Sequence, residues 1–287
     1  MSTKIRVGHC QLECRAGDFV VNRDKVIAGV AWAQDRGVQI VSFPECFLTG
    51  YFDREEPARR SALTLDGPEI RDLLDRTKRY APTLLVGFNE KRGADIYNTV
   101  LVARGGQVLG TYSKCSAYMP YHKQGREFPV FDRDGVKFGV IICSDGGYIE
   151  PTRILALKGA KIVFAPHYNH ISKEGLLNHF QKVRADHTAR AVENSIWFLR
   201  GNNVAVGPET GLSYDGVGYG ASYLLDPLGE TVVRSARHVE DCIEAAIDVD
   251  LGTPFMRDDA SLRSARVFGG VLTDLVKSMA VDAPDRL

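Results

Sequence analysis

Three side chains with complementary chemistry follow apolar segments of the sequence, each where a strand is predicted to end. They are a carboxylate at Glu45, an ammonium at Lys114 and a thiol at Cys143. A thiol can form a covalent intermediate, a carboxylate can take its proton, and an ammonium can stabilise an oxyanion. Together these groups suit acyl transfer to a cysteine, followed by release with water.

The segment around Cys143 gives the strongest local signal. Lys137–Ile142 reads as a buried strand, and the next residues, Cys143-Ser144-Asp145-Gly146-Gly147, predict a sharp turn. A helix is expected to include Pro151 in its first turn and to stop at Gly159, before a second strand over Lys161–Ala165. This order places the thiol at the carboxyl end of a strand, where open α/β sheets bind ligands. The alternative interpretation is a cysteine buried as a small apolar residue.

Composition limits the classes of protein to which this chain can belong. Its 287 residues are 44% hydrophobic and 25% charged, and 36 Lys and Arg balance 36 Asp and Glu. We therefore expect an ample apolar core and neither a nucleic-acid partner nor a membrane span. Six scattered cysteines do not resemble a disulfide framework or a zinc site, and the N-terminus lacks the apolar core of a signal peptide. These features favour a cytoplasmic, reduced protein without a bound metal.

Alternating strands and helices predict an α/β fold. The expected helices cover Asp18–Asp35, Glu69–Tyr80 and Leu177–Asn194. The expected strands are Ile5–Gln11, Gln39–Phe43, Thr83–Glu90, Tyr97–Ala103, Gln107–Tyr112, Ile196–Arg200, Asn203–Val206, Ser222–Asp226, Thr231–Ser235 and Cys242–Asp248. Loops are predicted over 118–131 and 207–221. We expect one domain over residues 1–250 and a tail over 251–287.

Carboxyl ends of strands in an α/β fold can share one cleft, so Glu45, Lys114 and Cys143 could meet. Glu45 would then take the thiol proton, and Lys114 would stabilise the thiolate and an oxyanion. Considered singly, a glutamate or a lysine just past a strand is more often a solvated charge.

Three motifs in order make the sequence recognisable. FPECFLTGY (43–51), GTYSK (110–114) and GVIICSDGGYIEP (139–151) resemble the three motif blocks of the carbon–nitrogen hydrolase family, also called the nitrilase superfamily. Supporting matches are Tyr97-Asn98, the segment Arg190–Asn194 and the segment Asp226–Gly229. The resemblance covers roughly residues 4–250.

The resemblance implies a four-layer α-β-β-α sandwich and a hydrolase that uses no metal or organic cofactor. Its substrate would be a small molecule: an amide, a carbamoyl compound or a nitrile. By motif match, Glu45 is the general base, Lys114 the cation on the oxyanion side and Cys143 the nucleophile. It also implies a homodimer or a higher homo-oligomer, with the tail over 251–287 packing on a neighbouring subunit.

Two departures from the family pattern affect this interpretation. Many members carry a second glutamate about eight residues after the lysine, where this chain has His122. That carboxylate is either displaced to Glu127 or replaced by a hydrogen-bonding group such as His122 or Tyr118. Nitrilases usually have Trp-Glu after the cysteine, whereas this chain has Ser144-Asp145, which favours an amidase or a carbamoylase.

The expected reaction is hydrolysis of a small linear amide or N-carbamoyl compound, with release of ammonia. The residues expected to line the substrate pocket are Tyr51, Tyr118, Ser144, Gly146, His167 and Asn169, and the candidate anchors for a substrate carboxylate are Arg54, Lys123 and Arg126. Three alternatives stay open: nitrile hydrolysis, a non-catalytic binding module, and a Cys–His hydrolase with His167 or His122 as base.

Overall fold

Two β-sheets position the candidate residues in the computed structural model, which describes residues 3–205, 210–251, 268–274 and 277. The first sheet contains β1 (Lys4–Gln11), β2 (Ile40–Ser42), β3 (Thr83–Arg92), β4 (Asp95–Arg104), β5 (Gln107–Ser113), β6 (His122–Lys123) and β15 (Asp241–Asp248). The second contains β7 (Val130–Arg133), β8 (Val136–Val140), β9 (Ile162–Pro166), β10 (Trp197–Gly201), β13 (Tyr223–Leu225) and β14 (Thr231–Arg234). Two short strands, β11 (Val204–Ala205) and β12 (Gly218–Tyr219), pair with each other.

Both large sheets have a parallel centre and antiparallel edges. Strand order is β15-β1-β2-β3-β4-β5 in the first sheet, with β6 beside β4, and β14-β13-β10-β9-β8-β7 in the second. The central parallel neighbours are β1, β2 and β3 in one sheet and β8, β9 and β10 in the other, and the short β6 also runs parallel to β4. Parallel strands need crossover connections, and helices supply them.

The helices up to residue 194 are α1 (Phe19–Asp35), α2 (Glu55–Ser61), α3 (Pro68–Thr77), α4 (Ile149–Leu157) and α5 (Leu176–Asn194), and residues 268–274 are also helical. The α1 helix begins where the Asp18 carboxylate accepts a hydrogen bond from the Val21 N–H at 3.1 Å. A 3-10 helix over Cys143–Gly147 joins β8 to α4. No helix within the described ranges is both long and apolar enough to cross a membrane.

Three separate apolar clusters define four layers. Val41 of β2 packs with residues of α1 and α3, whereas its neighbour Ile40 faces the second sheet. In the second sheet, Phe164 faces the first sheet and Val163 packs beneath α4 and α5. Because successive strand residues point to opposite faces, each sheet is apolar on both sides. This arrangement confirms the predicted α-β-β-α sandwich.

Short elements were the ones that the sequence did not predict. The α2 helix has one buried residue, Ala58, and its exposed Glu and Arg side chains form ion pairs one turn apart, so it lacks an apolar stripe. The predicted loop 118–131 contains β6 and the start of β7, and the predicted loop 207–221 contains β12. Most of the predicted tail, 252–267 and 278–287, lies outside the described residues.

Candidate active site

Glu45 and Lys114 form an ion pair where the first sheet faces the second. The Lys114 Nζ atom donates to Oε1 of Glu45 at 2.7 Å, and the two side chains are 1% and 0% exposed. Burial alone would lower the pKa of Lys114, but the charges of Glu45, Cys143 and Asp145 and the Glu45 hydrogen bond raise it. Lys114 therefore stays an ammonium despite its burial.

Further donors hold the Glu45 carboxylate in place. The Asn98 side chain donates to Oε1 at 2.6 Å, and the Tyr168 backbone N–H donates to Oε2 at 2.9 Å. The Glu45 N–H in turn donates to the His167 carbonyl at 3.3 Å. Asn98 lies in β4 of the first sheet, whereas His167 and Tyr168 follow β9 of the second. The carboxylate thus joins the two sheets at one point.

Cys143 occupies a strained turn between β8 and α4. Its φ angle is 47°, in the left-handed region that residues with a side chain rarely adopt. The residue as a whole is partly exposed, and its sulfur accepts a contact from Nδ2 of Asn169 at 3.7 Å. Burial, then the charge of Glu45 and a hydrogen bond to it, raises the pKa of Cys143 to about 12, while Lys114 and Arg200 act in the opposite direction. At neutral pH the free protein therefore holds Cys143 as a thiol beside Glu45.

A buried carboxylate, Asp145, fixes this turn to the segment that follows Lys114. Its Oδ2 accepts from the Tyr112 hydroxyl at 2.7 Å and from the Ile142 N–H at 3.0 Å. Its Oδ1 accepts from the Ser116 N–H at 2.7 Å. The Ser144 hydroxyl adds a bond to the Ser116 carbonyl at 2.7 Å. Hydrogen bonds from the residues after Cys143 thus tie its turn to the segment that follows Lys114.

The six residues expected to line the pocket occupy different environments. Tyr51 is buried and stacks on Tyr168 with 5.1 Å between ring centroids; burial, then the charges of Glu45 and Cys143, raises its pKa. Asn169 contacts the thiol, as described. Tyr118 is 73% exposed. A Cβ added at Gly146 would lie 2.9 Å from the His187 ring, so Gly146 faces α5.

Neither candidate histidine hydrogen-bonds to the thiol in the part of the chain that the structure describes. His167 Nδ1 donates to the Ala165 carbonyl at 2.6 Å. His122 Nε2 pairs with Asn89 Oδ1 at 2.9 Å, and burial together with the Lys114 charge lowers the pKa of His122 to about 3. His122 is therefore neutral and lies near Lys114, where the family pattern has a glutamate.

The structure does not bring Glu127 to the ion pair. The chain passes Lys114 at Gly125, whose N–H donates to the Lys114 carbonyl at 2.8 Å, and then turns outward. Glu127 is exposed, and its charge acts on Arg92. Arg54 and Arg126 are also exposed, and exposed Lys123 lies 3.8 Å from Asp95, so none of these anchors is buried beside the thiol.

A comparison with protein families shows to which family this chain belongs. The family model described as carbon-nitrogen hydrolase matches residues 6–255 of the 287. The chain belongs to the carbon–nitrogen hydrolase family. The family resemblance drawn from the three motifs is thereby confirmed, and the family supports an enzyme.

Individual relatives of this carbon–nitrogen hydrolase are distant. It is 29% identical to a glutamine-dependent NAD(+) synthetase of Thermotoga maritima, over 86% of this chain and 42% of that protein. The chain thus spans less than half the length of that relative. It is 28% identical to a 2-oxoglutaramate amidase of Bacillus subtilis, over 84% and 88% of the two chains.

A solved structure supports the fold. A point mutant of the amidase from Nesterenkonia sp. AN1 aligns with a TM-score of 0.74 and 20% identity, over 92% of this chain and 96% of that one. In that amidase the acetamide moiety of fluoroacetamide is covalently added at the active-site cysteine.

Three polar residues of this carbon–nitrogen hydrolase were not predicted as part of the site, although each left a signal. Asn98, which holds Glu45, belongs to the Tyr97-Asn98 pair that supported the family resemblance. Asp145 stands two residues after the cysteine. Arg200 is a single charge within the apolar strand β10, where a buried cation demands an explanation.

Proposed function

We propose that the protein hydrolyses the C–N bond of a small linear amide or N-carbamoyl compound through a Cys143 acyl-enzyme and releases ammonia. The observation that carries this proposal is the convergence of Glu45, Lys114 and Cys143. An acceptor lies beside the thiol, and a buried ammonium lies 2.7 Å from that acceptor.

In the first step, Sγ of Cys143 attacks the substrate carbonyl carbon while Glu45 takes the thiol proton. The carbonyl oxygen becomes an oxyanion, which the Lys114 ammonium and the backbone N–H after Cys143 stabilise. Glu45 then delivers its proton to the leaving nitrogen, the C–N bond breaks, and ammonia departs. A thioester on Cys143 remains.

In the second step, Glu45 takes a proton from water as the water oxygen attacks the thioester carbon. The tetrahedral intermediate collapses, the C–S bond breaks, and the proton returns to sulfur. For an amide, the balance is one amide and one water consumed, with one carboxylic acid and one ammonia formed; for an N-carbamoyl compound, the acid formed is a carbamic acid, which decomposes to an amine and carbon dioxide. Lys114 keeps its proton throughout, in agreement with the raised pKa that Glu45 gives it.

Two features support an amide rather than a nitrile as substrate. Ser144 and Asp145 follow the cysteine, where nitrilases usually have Trp-Glu. The relatives with amide-cleaving names, including the 2-oxoglutaramate amidase, agree with this choice. The glutamine-dependent relative adds the side-chain amide of glutamine to the substrates to be tested.

An ammonia-release screen tests the proposal. The panel contains short aliphatic amides, glutamine, N-carbamoyl amino acids and aliphatic nitriles, and intact-mass spectrometry follows acylation of the protein. We expect turnover of an amide or carbamoyl compound with an acyl adduct on Cys143. Cys143→Ala should lose both the ammonia release and the acyl adduct. Cys242 is a partly exposed cysteine of β15, and Cys242→Ala should keep both signals.

Other outcomes separate the alternatives. Turnover that survives Cys143→Ala contradicts a covalent mechanism. Turnover of nitriles alone assigns a nitrilase, and no turnover of any compound supports a non-catalytic binding module. The expected homo-oligomer and cytoplasmic location stay predictions, for which size-exclusion chromatography and cell fractionation are the measurements.

A further inference from the structure

Arg200 is the largest fully buried side chain among the described residues, at 1% exposed. It lies in β10 among apolar neighbours. Its hydrogen bonds within the described residues all go to neutral oxygens: the carbonyls of Gly220 (3.1 Å) and Ala221 (2.8 Å), the Asn169 amide oxygen (2.6 Å) and the Tyr219 hydroxyl (2.9 Å). A buried cation held this way is costly, because buried charges are normally paired with an opposite charge.

The positive charge of Arg200 reaches the thiol. Burial raises the pKa of Cys143, and the Arg200 charge is among the effects that lower it. The same charge adds to burial in lowering the pKa of His167, next to the Glu45 carboxylate. Both Nη atoms of Arg200 already donate hydrogen bonds to protein oxygens. The guanidinium is therefore not available to bind a substrate carboxylate through both Nη atoms.

The contact with Asn169 has a directional consequence. An amide side chain can present either its oxygen or its nitrogen to a neighbour, and rotation by half a turn exchanges them. A guanidinium has only donors, so Arg200 requires the Asn169 oxygen on its side. The Asn169 nitrogen then faces Cys143 Sγ at 3.7 Å.

The Asn169 main chain is fixed as well. Its N–H donates to Oδ1 of Asn202 at 3.0 Å, and Asn202 Nδ2 donates to the Gly220 carbonyl at 2.8 Å. The Gly220 carbonyl is also an acceptor of Arg200. One hydrogen-bonded network therefore sets both the position and the rotation of the amide beside the nucleophile.

We propose that Arg200 is a positioning residue that locks the Asn169 amide with its N–H toward Cys143, so that a donor always meets the thiolate. The inference deepens the proposed function, on which it rests for its catalytic meaning. A flipped amide would present an acceptor to the sulfur and disfavour the charged form. Asn169 stabilises the nucleophile by contact, and Arg200 acts through Asn169.

The test measures alkylation of Cys143 by iodoacetamide between pH 7 and 11, with peptide mass spectrometry to resolve this cysteine from the other five. The thiolate is the reactive form, and the whole pH range lies below the Cys143 pKa of about 12, so the alkylation rate at each pH falls about tenfold for each unit by which a variant raises that pKa. We expect Asn169→Leu and Arg200→Met each to raise that pKa and to slow alkylation at pH 8 by about tenfold, the effect of about one pKa unit. When Arg200→Met is added to the Asn169→Leu variant, it should slow the alkylation of Cys143 by a smaller factor than it does in the parent protein.

The control is Arg133→Met, which removes another buried arginine, at 5% exposed, from β7 of the same sheet. It should leave the Cys143 profile unchanged. An unchanged profile in Arg200→Met overturns the proposal, and so does an equal factor in both Asn169 backgrounds, because Arg200 would then act by charge alone.

If circular dichroism shows that Arg200→Met does not fold, Arg200→Gln replaces it. Glutamine offers both a donor and an acceptor, so it no longer forces the Asn169 oxygen toward position 200. Slower alkylation only when Asn169 is present supports positioning, and an unchanged profile contradicts it. Alkylation needs no amide substrate. The expected effects on alkylation without any amide turnover would therefore contradict the proposed function and leave this inference standing.

Discussion

Lys114 Nζ lies 2.7 Å from Glu45 Oε1, in a place where neither side chain meets solvent. Asn98 donates to the same oxygen at 2.6 Å, so Oε1 accepts two hydrogen bonds, while the Tyr168 N–H occupies Oε2. A carboxylate held in this way has one well-defined position toward the thiol. The same pair that would run the chemistry also carries a structural role, and substitutions can separate the two.

Removal of one partner of this pair should be severe for stability. Lys114→Met is expected to lower the free energy of unfolding by about 3–5 kcal/mol, because it leaves the Glu45 charge buried and uncompensated. The double variant Lys114→Met/Glu45→Gln should regain part of this loss and stay inactive. Urea unfolding followed by tryptophan fluorescence gives the values.

The control for that cycle is the exposed pair of Lys78 and Asp75, 2.6 Å apart and 62% and 70% exposed. Lys78→Met should cost less than about 1 kcal/mol. If the double variant loses as much unfolding free energy as its two single variants lose together, Glu45 and Lys114 are not coupled.

Glu45→Gln should change two properties of the site in opposite directions. The carboxylate raises the pKa of Cys143, so its neutralisation should lower that pKa and speed alkylation by iodoacetamide at pH 8. Turnover should fall by about 10²–10⁴-fold, since the base is lost. Rate constants for alkylation and ammonia release are compared on the same preparation.

Glu90→Gln serves as the matched control, because Glu90 is a buried carboxylate of β3 that pairs with Arg92 instead. It should leave the alkylation of Cys143 unchanged. Full turnover in Glu45→Gln would favour His122 or His167 as the base and would refute the assigned role of Glu45.

Acid should unfold the protein partly through His122. Its pKa falls from 6.5 to about 3 on folding, because burial and then the Lys114 charge disfavour the imidazolium. Between these values the unfolded chain binds a proton that the folded protein does not, so stability falls as the pH falls. The contribution is fully present above pH 6.5 and is lost toward pH 3.

His122→Gln should reduce the slope of unfolding free energy against pH between 4 and 6 by up to about 1.4 kcal/mol per unit, the value for one proton. Urea unfolding at a series of pH values measures it. His238→Asn, which changes an exposed histidine, is measured in parallel as the control for replacing a histidine as such. Equal slopes in the parent and in His122→Gln would show that folding does not change the pKa of His122.

The adjacent glycines 146 and 147 should respond differently to a methyl group. A Cβ at Gly146 would meet His187 Nε2 at 2.9 Å, whereas one at Gly147 would come no nearer than 3.8 Å, to Asp186. His187 is held by its bond to the Tyr223 hydroxyl at 2.9 Å, so Gly146→Ala should cost about 1–3 kcal/mol. Gly147→Ala should unfold near the parent temperature. Differential scanning calorimetry of both variants decides, and equal losses would contradict close packing of α5 on this turn.

The sequence by itself determined the order of the main strands and helices and the family. Apolar runs with turn residues between them are local features, so the long elements α1, α3 and α5 were predicted nearly at their observed bounds. Short elements such as α2 were not, since a helix with one buried residue has no apolar periodicity. The three motifs named Glu45, Lys114 and Cys143, and the folded chain brings the first two into contact.

Only the tertiary structure decided which polar groups hold those three. Glu45 is bound by Asn98 of one sheet and Tyr168 of the other, partners that are distant in sequence and meet because the two sheets pack face to face. The positions of His122 near Lys114 and of Glu127 at the surface also depended on the path of the chain past Gly125. The direction of the Asn169 amide follows from Arg200, one strand away. Hydrogen bonds between distant segments depend on distances and angles, and no local pattern of residue types encodes them.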